Sequence, residues 1–195
     1  MVYKLIKCSR TFAAVIVLVF FLFSARAQTV NPYQAQFSIG VNLGLPTGKL
    51  SDTHTIAFGG YLQQTIPLVK TLHLTLNAGY TKFKGESNVN STVTNQLIID
   101  YPDIDMLAAK AGLRYFLTPQ IYLQADAGIA LVLNSPQTSY DAAKAFIYSP
   151  RAGVQLPVSS RSVIDLGLSY EATNHYGGTY RGNVNSLGIY AAFGF

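Results

Sequence analysis

A single cysteine, Cys8, occurs in the 195 residues, and it precedes the one long apolar run. A lipid-attachment cysteine would have to follow such a run. Once the leader is removed no thiol remains, which excludes disulfides, thiolate metal sites and cysteine nucleophiles. Charge is scarce as well: Asp, Glu, Lys and Arg together make up 12% of the chain, about half the share usual in soluble domains. Such a chain has little with which to cover a wetted surface. No apolar run reaches the ~20 residues a membrane-spanning helix requires, and no helical period runs beyond the leader. These gaps argue against an ordinary cytoplasmic enzyme and a disordered tail.

The formal charge of +5 is largely a property of the leader. Four of the 14 Lys and Arg (Lys4, Lys7, Arg10 and Arg26) lie in the first 27 residues, and all nine Asp and Glu lie beyond them, so the remainder carries ten cations against nine anions. A nucleic-acid partner is therefore not expected. Lys4, Lys7 and Arg10 precede an unbroken apolar run at 12–23, and Ala25-Arg26-Ala27 then supplies a small-x-small cleavage pattern. Residues 1–27 are expected to be a Sec signal peptide cleaved before Gln28, leaving 28–195 as one domain of 168 residues.

What that domain does contain is a period of two. Phe37, Ile39, Val41, Leu43 and Leu45 alternate with Ser38, Gly40, Asn42 and Gly44, and the pattern returns at 56–66, 72–80, 107–115, 121–133, 146–156, 164–172 and 187–195. Of 44 positions in the apolar phase none is charged, where about five would be expected from the charge frequency of the domain. Short connections follow the second, fourth and sixth segments, near 67–70, 117–120 and 157–161, and longer polar ones follow the others. The expected fold is all-β: a transmembrane up-and-down antiparallel β-barrel of eight strands, with short periplasmic turns and long extracellular loops.

The alternative, a soluble secreted barrel, would turn its apolar phase inward and its other phase to water. That other phase is poor in charge: it carries only Lys110, Arg114, Asp126, Arg151, Asp165, Glu171 and the titratable His73, together with ten of the 16 glycines. It suits a narrow interior and makes a poor wetted surface. Aromatic residues give a second test. Phe37, Tyr115, Phe193 and Phe195 fall at one end of the strands, and Phe58, Tyr80, Phe146, Tyr148 and Tyr170 at the other. Two girdles around an aliphatic belt are a feature of lipid interfaces. Gln64 in the lipid phase and Pro150, which has no ladder donor, depart from the pattern; Pro150 predicts a bulge or weak pairing.

The last segment, Leu187-Gly188-Ile189-Tyr190-Ala191-Ala192-Phe193-Gly194-Phe195, ends on an aromatic with another two residues earlier. It resembles the C-terminal signal by which Gram-negative outer-membrane barrels are recognised for insertion, with Tyr190 where that signal usually has Gly. Residues 37–45 followed by Pro46-Thr47-Gly48, and Leu76-Asn77-Ala78-Gly79-Tyr80, are similar to segments of the small eight-stranded outer-membrane β-barrel domain family, the OmpA/OmpX-like group. The resemblance implies an outer-membrane location, contact with lipid and lipopolysaccharide, and insertion by the outer-membrane assembly machinery through Phe193 and Phe195. It implies no catalytic residue and no cofactor.

Candidate site residues lie in the lumen and in the loops. Pairing Phe116 with Ile121 across the 117–120 turn would bring Lys110 close to Asp126, with Arg151 at the height of Asp126 and Asp165 diagonal to Arg151. With Arg114 and Glu171 these form a candidate lumenal charge network, suited to filling an eight-stranded barrel. Leu97, Ile98 and Ile99 in the second loop and Tyr176, Tyr180 and Arg181 in the fourth are candidate contacts for an extracellular ligand. Ser51, Asp52 and His54 in the first loop, and His175 in the fourth, have the residue types of nucleophilic catalysis, but Ser and Asp after Gly48 are also ordinary turn residues. Asp100, Asp103 and Asp105 offer hard oxygen ligands at a spacing that matches no calcium loop. The expected function is a plugged outer-membrane barrel acting in envelope structure and surface contact, not an enzyme. A small-solute channel is the runner-up, and a lipid A-modifying enzyme comes third.

Overall fold

Backbone N–H and C=O groups placed in hydrocarbon must be satisfied within the protein, so a sheet that crosses a membrane has to close on itself. The computed structural model, which describes residues 35–86, 89–90, 98–99, 101–134, 144–174 and 183–195 (backbone alone at 89–90 and 98–99), is such a closed sheet. Its strands are β1 (Gln36–Pro46), β2 (His54–Val69), β3 (Leu72–Gly85), β4 (Ile104–Phe116), β5 (Ile121–Val132), β6 (Lys144–Pro157), β7 (Val163–Thr173) and β8 (Asn185–Gly194). Each pairs antiparallel with its sequence neighbours, and β8 returns to β1.

The pairing fixes the tilt. Gly44 on β1 faces Ala57 on β2 directly, but the row that leaves Gly44 the other way passes Gly188, Ser169, Arg151, Gln124, Arg114 and His73 and reaches β2 at Pro67. The stagger around the barrel is thus ten residues, from 57 to 67, which for eight strands corresponds to a tilt of about 40°. Rows of paired residues therefore climb from the end bearing the C-terminus towards the loops as they run from β1 to β5.

Alternation decides which face is which. Ile39, Val41, Leu43, Leu62, Leu76, Leu166, Leu168 and Ile189 point out and are exposed, whereas Ser38, Gln63, Thr75, Lys110, Arg114, Asp126, Arg151, Asp165 and Glu171 point in and are buried. Exposed Tyr115, Phe193 and Phe195 ring the end of the short turns, and exposed Phe58, Tyr80, Phe146 and Tyr148 ring the loop end. An apolar exterior of this kind around a polar interior is a transmembrane barrel.

Three details differ from the sequence reading. Phe116 pairs with Tyr122, not Ile121, so Lys110 lies across from Gly128 and Asp126 lies across from Gly112. Pleating demands this, because an inward residue on one unbulged strand must face an inward residue on the next. Pro150 pairs with Ala125 on β5, but the ladder from β6 to β7 passes from Tyr148–Ala172 to Arg151–Ser169 with no pair between and no change of register. The missing donor leaves weak pairing, not a bulge. Finally, most strands run past their expected ends near the loops, and the added inward positions include large apolar residues beside the polar His54, Thr81, Thr173 and Ser186. Phe83, Ile104 and Met106 join Val132 and Ile147 in a buried cluster at the loop end of the lumen.

Candidate functional site

The middle of the lumen is a charge-balanced set of cross-ties. Arg114 on β4 reaches across to Asp165 on β7, Nη2 to Oδ2 2.9 Å, and donates from Nε to Gln124 Oε1 at 2.8 Å. Lys110 donates to Glu171. Arg151 stands between Asp126, 3.8 Å away, and Glu171, 3.6 Å away. Asp126 also accepts from the Thr75 hydroxyl and the Gln124 amide, each at 2.6 Å. Three buried cations face three buried anions, so the passage carries no net fixed charge from these six residues.

The structure brings together all six charged residues expected to form the network but exchanges their partners. Lys110 bonds Glu171 in place of Asp126, and Asp165 bonds Arg114 in place of Arg151. The expected pairs join neighbouring strands along the sheet, whereas long side chains in a narrow lumen reach straight across it. Arg151 beside Asp126 is as the strand heights predict.

Tyrosines complete the filling, and sequence reasoning passed over them. Tyr122 donates to Asp165 and shares a hydrogen bond with Tyr190, while Arg114 lies 3.8 Å above the Tyr122 ring and Arg151 lies 5.0 Å from the Tyr61 ring. The rings sit over inward glycines. A Cβ at Gly153 would come 2.7 Å from Tyr122 Cζ, and one at Gly40 would meet the Tyr61 ring at a similar distance. The available signal was their phase: Tyr61, Tyr122 and Tyr190 share the inward register with the glycines.

Towards the loops the lumen turns apolar. Ala57, Ala108, Ala130 and Ala145 line a collar with Phe83, Ile104, Met106, Val132, Ile147 and Val184. Gly48, at a φ of 68°, turns the chain after β1 into a short 3-10 segment, Gly48–Asp52, which places Leu50 in the collar at 4% exposure.

The first-loop residues do not form a nucleophile–base pair. Ser51 Oγ donates to the Gly48 carbonyl at 2.6 Å, and His54 points inward with Nδ1 2.8 Å from Thr53 Oγ1. Its Nε2 is buried and has no hydrogen-bond partner among the described residues. The second-loop foot is held by ion pairs on the outer rim: Lys82 bonds Asp103 at 3.2 Å and Asp105 at 3.5 Å, Lys84 bonds Asp103 at 3.2 Å, and Tyr80 donates to Asp105 at 2.5 Å. Desolvation opposes ionisation of Asp103, but the Gly85 N–H and the two ammonium groups outweigh it and hold its carboxyl below the ordinary value. No group of three metal-ligating side chains occurs among the described residues.

In the second loop, Ile98 and Ile99 pair with Asn90 and Val89 in a two-stranded ladder. Leu97, Asp100, His175, Tyr176, Tyr180 and Arg181 lie outside the described residues, as does the expected leader 1–27. Phe193 and Phe195 are exposed on the lipid face. Phe195 exchanges backbone hydrogen bonds of 3.1 and 2.9 Å with Phe37 and packs on its ring at 5.7 Å, which closes the β8–β1 seam.

No protein-family model matches the chain, and no curated protein sequence does. Solved structures do match. The outer membrane enzyme PagL superposes with a TM-score of 0.55 at 13% identity, over 80% of this chain and 97% of that one. OprG from Pseudomonas aeruginosa gives 0.51 at 12% identity, over 82% and 94%. Ail of Yersinia pestis gives 0.48 at 15%, over 83% and 97%. At identities this low the PagL and OprG superpositions show the fold alone, that of the small outer-membrane barrels.

Proposed function

We propose that this barrel is an integral outer-membrane protein with a closed lumen, which contributes to envelope structure and presents four loops at the cell surface. The observation that carries the reading is that two different obstructions lie in series. Ion pairs and tyrosines tie opposite walls together in the middle of the lumen, and an apolar collar stoppered by Leu50 lies beyond them. A hydrated ion would have to break buried pairs and then pass a collar lined mainly by apolar side chains. The exterior supports residence among lipids, and the rim of Tyr80, Lys82 and Lys84 lies where lipopolysaccharide phosphates would meet it. The exposed Phe193 and Phe195 are assigned to recognition by the assembly machinery. No reaction is assigned: the first loop lacks a positioned nucleophile, and the PagL likeness extends to fold alone.

The test is planar-bilayer conductance of the refolded barrel. Wild type is expected to be silent. Discrete channels in wild type, altered by Asp126→Ala, would replace this reading with a small-solute channel in which the network acts as a selectivity element.

A further inference from the structure

The lipid-facing wall is not uniform. On β1, β7 and β8 it carries long aliphatic chains such as Val41, Leu166 and Ile189. Across β3, β4 and β5 it is floored by Ala78, Ala109, Ala111 and Ala127, and this leaves a groove of about 590 Å³. Leu62 and Leu76 bound it on one side and Ile129 on the other. The groove follows the tilt of the sheet: the paired row Phe37, Gln64, Leu76, Ala111, Ala127 climbs from the girdle at the C-terminal end towards mid-barrel.

Its lower end holds the one polar side chain in the outward phase between the girdles, Gln64, directly paired with Phe37 of the girdle. No hydrogen bond within the described residues reaches the Gln64 amide. An amide facing hydrocarbon without a partner is costly, whereas one at the level of lipid esters finds acceptors there. The groove is thus predominantly apolar, with Asn77 and Lys110 of the inward phase also in its lining; it has a hydrogen-bond donor at the end nearest the headgroups and is continuous with the lipid interface.

We infer that this groove holds one acyl chain of a glycerophospholipid of the periplasmic leaflet, with the Gln64 amide donating to the ester carbonyl of that lipid. Small residues allow the chain to lie against the backbone of the sheet, which increases its dispersion contacts over those available on a leucine-covered wall. The inference rests on the bilayer placement proposed above. A second barrel seated on the same alanines is the competing occupant.

The test is native mass spectrometry of the barrel extracted from membranes in mild detergent. Wild type is expected to retain one phospholipid. Ala109→Leu and Ala111→Leu, which fill the groove, should lower retention about tenfold, and Gln64→Leu should lower it while leaving the apolar surface intact. Ala191→Leu on the far wall should retain the lipid as wild type does. Variants are compared only as folded species, identified by heat-modifiable migration. Equal retention in the groove-filling variants, a lipopolysaccharide adduct in place of phospholipid, or a dimer lost on the same substitutions would each overturn the inference. Absence of barrel from the membrane fraction would instead overturn the bilayer placement.

Discussion

At the scale of single residues, the exchange of partners in the lumen alters which carboxylate matters most. Asp165 is the carboxylate directly paired with Arg114 and also accepts from Tyr122, so Asp165→Ala strands a fully buried guanidinium. Loss of about 3–5 kcal/mol is expected, read as a lowered temperature of heat-modified migration. Asp126→Ala should cost less, because Arg151 keeps Glu171; the reverse order would mean that the ties across the lumen are not the ones described. His54, which lies above the outer girdle, bears on pH. Burial lowers its pKa, opposed by the Pro102 carbonyl and by Asp103. A lowered folded-state value means that the contribution of His54 to holding the first loop is present above the unfolded value of about 6.5 and is lost as pH falls through the folded one. Hydrogen exchange at 47–54, corrected for intrinsic rates, should therefore rise on acidification below about pH 6 in wild type and stay level in His54→Phe. Among the described residues, Asp103 is the neighbouring charge that opposes the lowering at His54, and Asp103→Asn should make the response larger.

At the scale of elements, each strand could be read from its alternation because one-residue errors of phase would turn an entire face to the wrong medium. Strand ends could not be read so well. Near the loops the alternation inverts: inward Phe83, Ile104 and Met106 are apolar and buried, while outward Lys82, Lys84 and Asp105 are charged, so a phase defined by apolar outward residues stops short of the strand ends. Pro150 shows what a single residue does to an element: it occupies an outward position on β6 and opens the ladder to β7 without shifting it. The same pair of strands supplies a packing test. Gly153 on β6 lies opposite Gly167 on β7; Gly153 lies under Tyr122 and Tyr190, and Gly167 under Tyr190. Gly153→Val should displace those rings and cost roughly 1–3 kcal/mol, with near-ultraviolet circular dichroism of the tyrosines reporting the displacement. An unchanged spectrum and melting point would mean the glycine is not a seat for the ring.

At the scale of the whole molecule, the inside–outside assignment is the claim on which the rest depends. Leu166→Arg places a cation on the lipid face near mid-strand and should cost roughly 2–4 kcal/mol, seen as reduced assembly and a lowered melting temperature. Normal assembly of that variant would invert the assignment of the two faces. Closure also bears on stability: Phe195 bonds Phe37 near the start of β1, so β8 and β1 complete the sheet and leave no open edge.

The sequence by itself determined the strand count, the phase of every strand and the two aromatic girdles, because those are consequences of a period of two in a chain too poor in charge to be wetted. It also placed Lys110, Arg114, Asp126, Arg151, Asp165 and Glu171 on one face. Which of them bond was decided only by the closed barrel. A stagger of ten residues sets the heights at which distant strands face one another across the lumen, and residues 51 positions apart, such as Arg114 and Asp165, become partners through that geometry alone. The apolar collar and the alanine groove were hidden for the same reason. Each is assembled from single residues on several strands, and no local pattern along the chain records such an assembly.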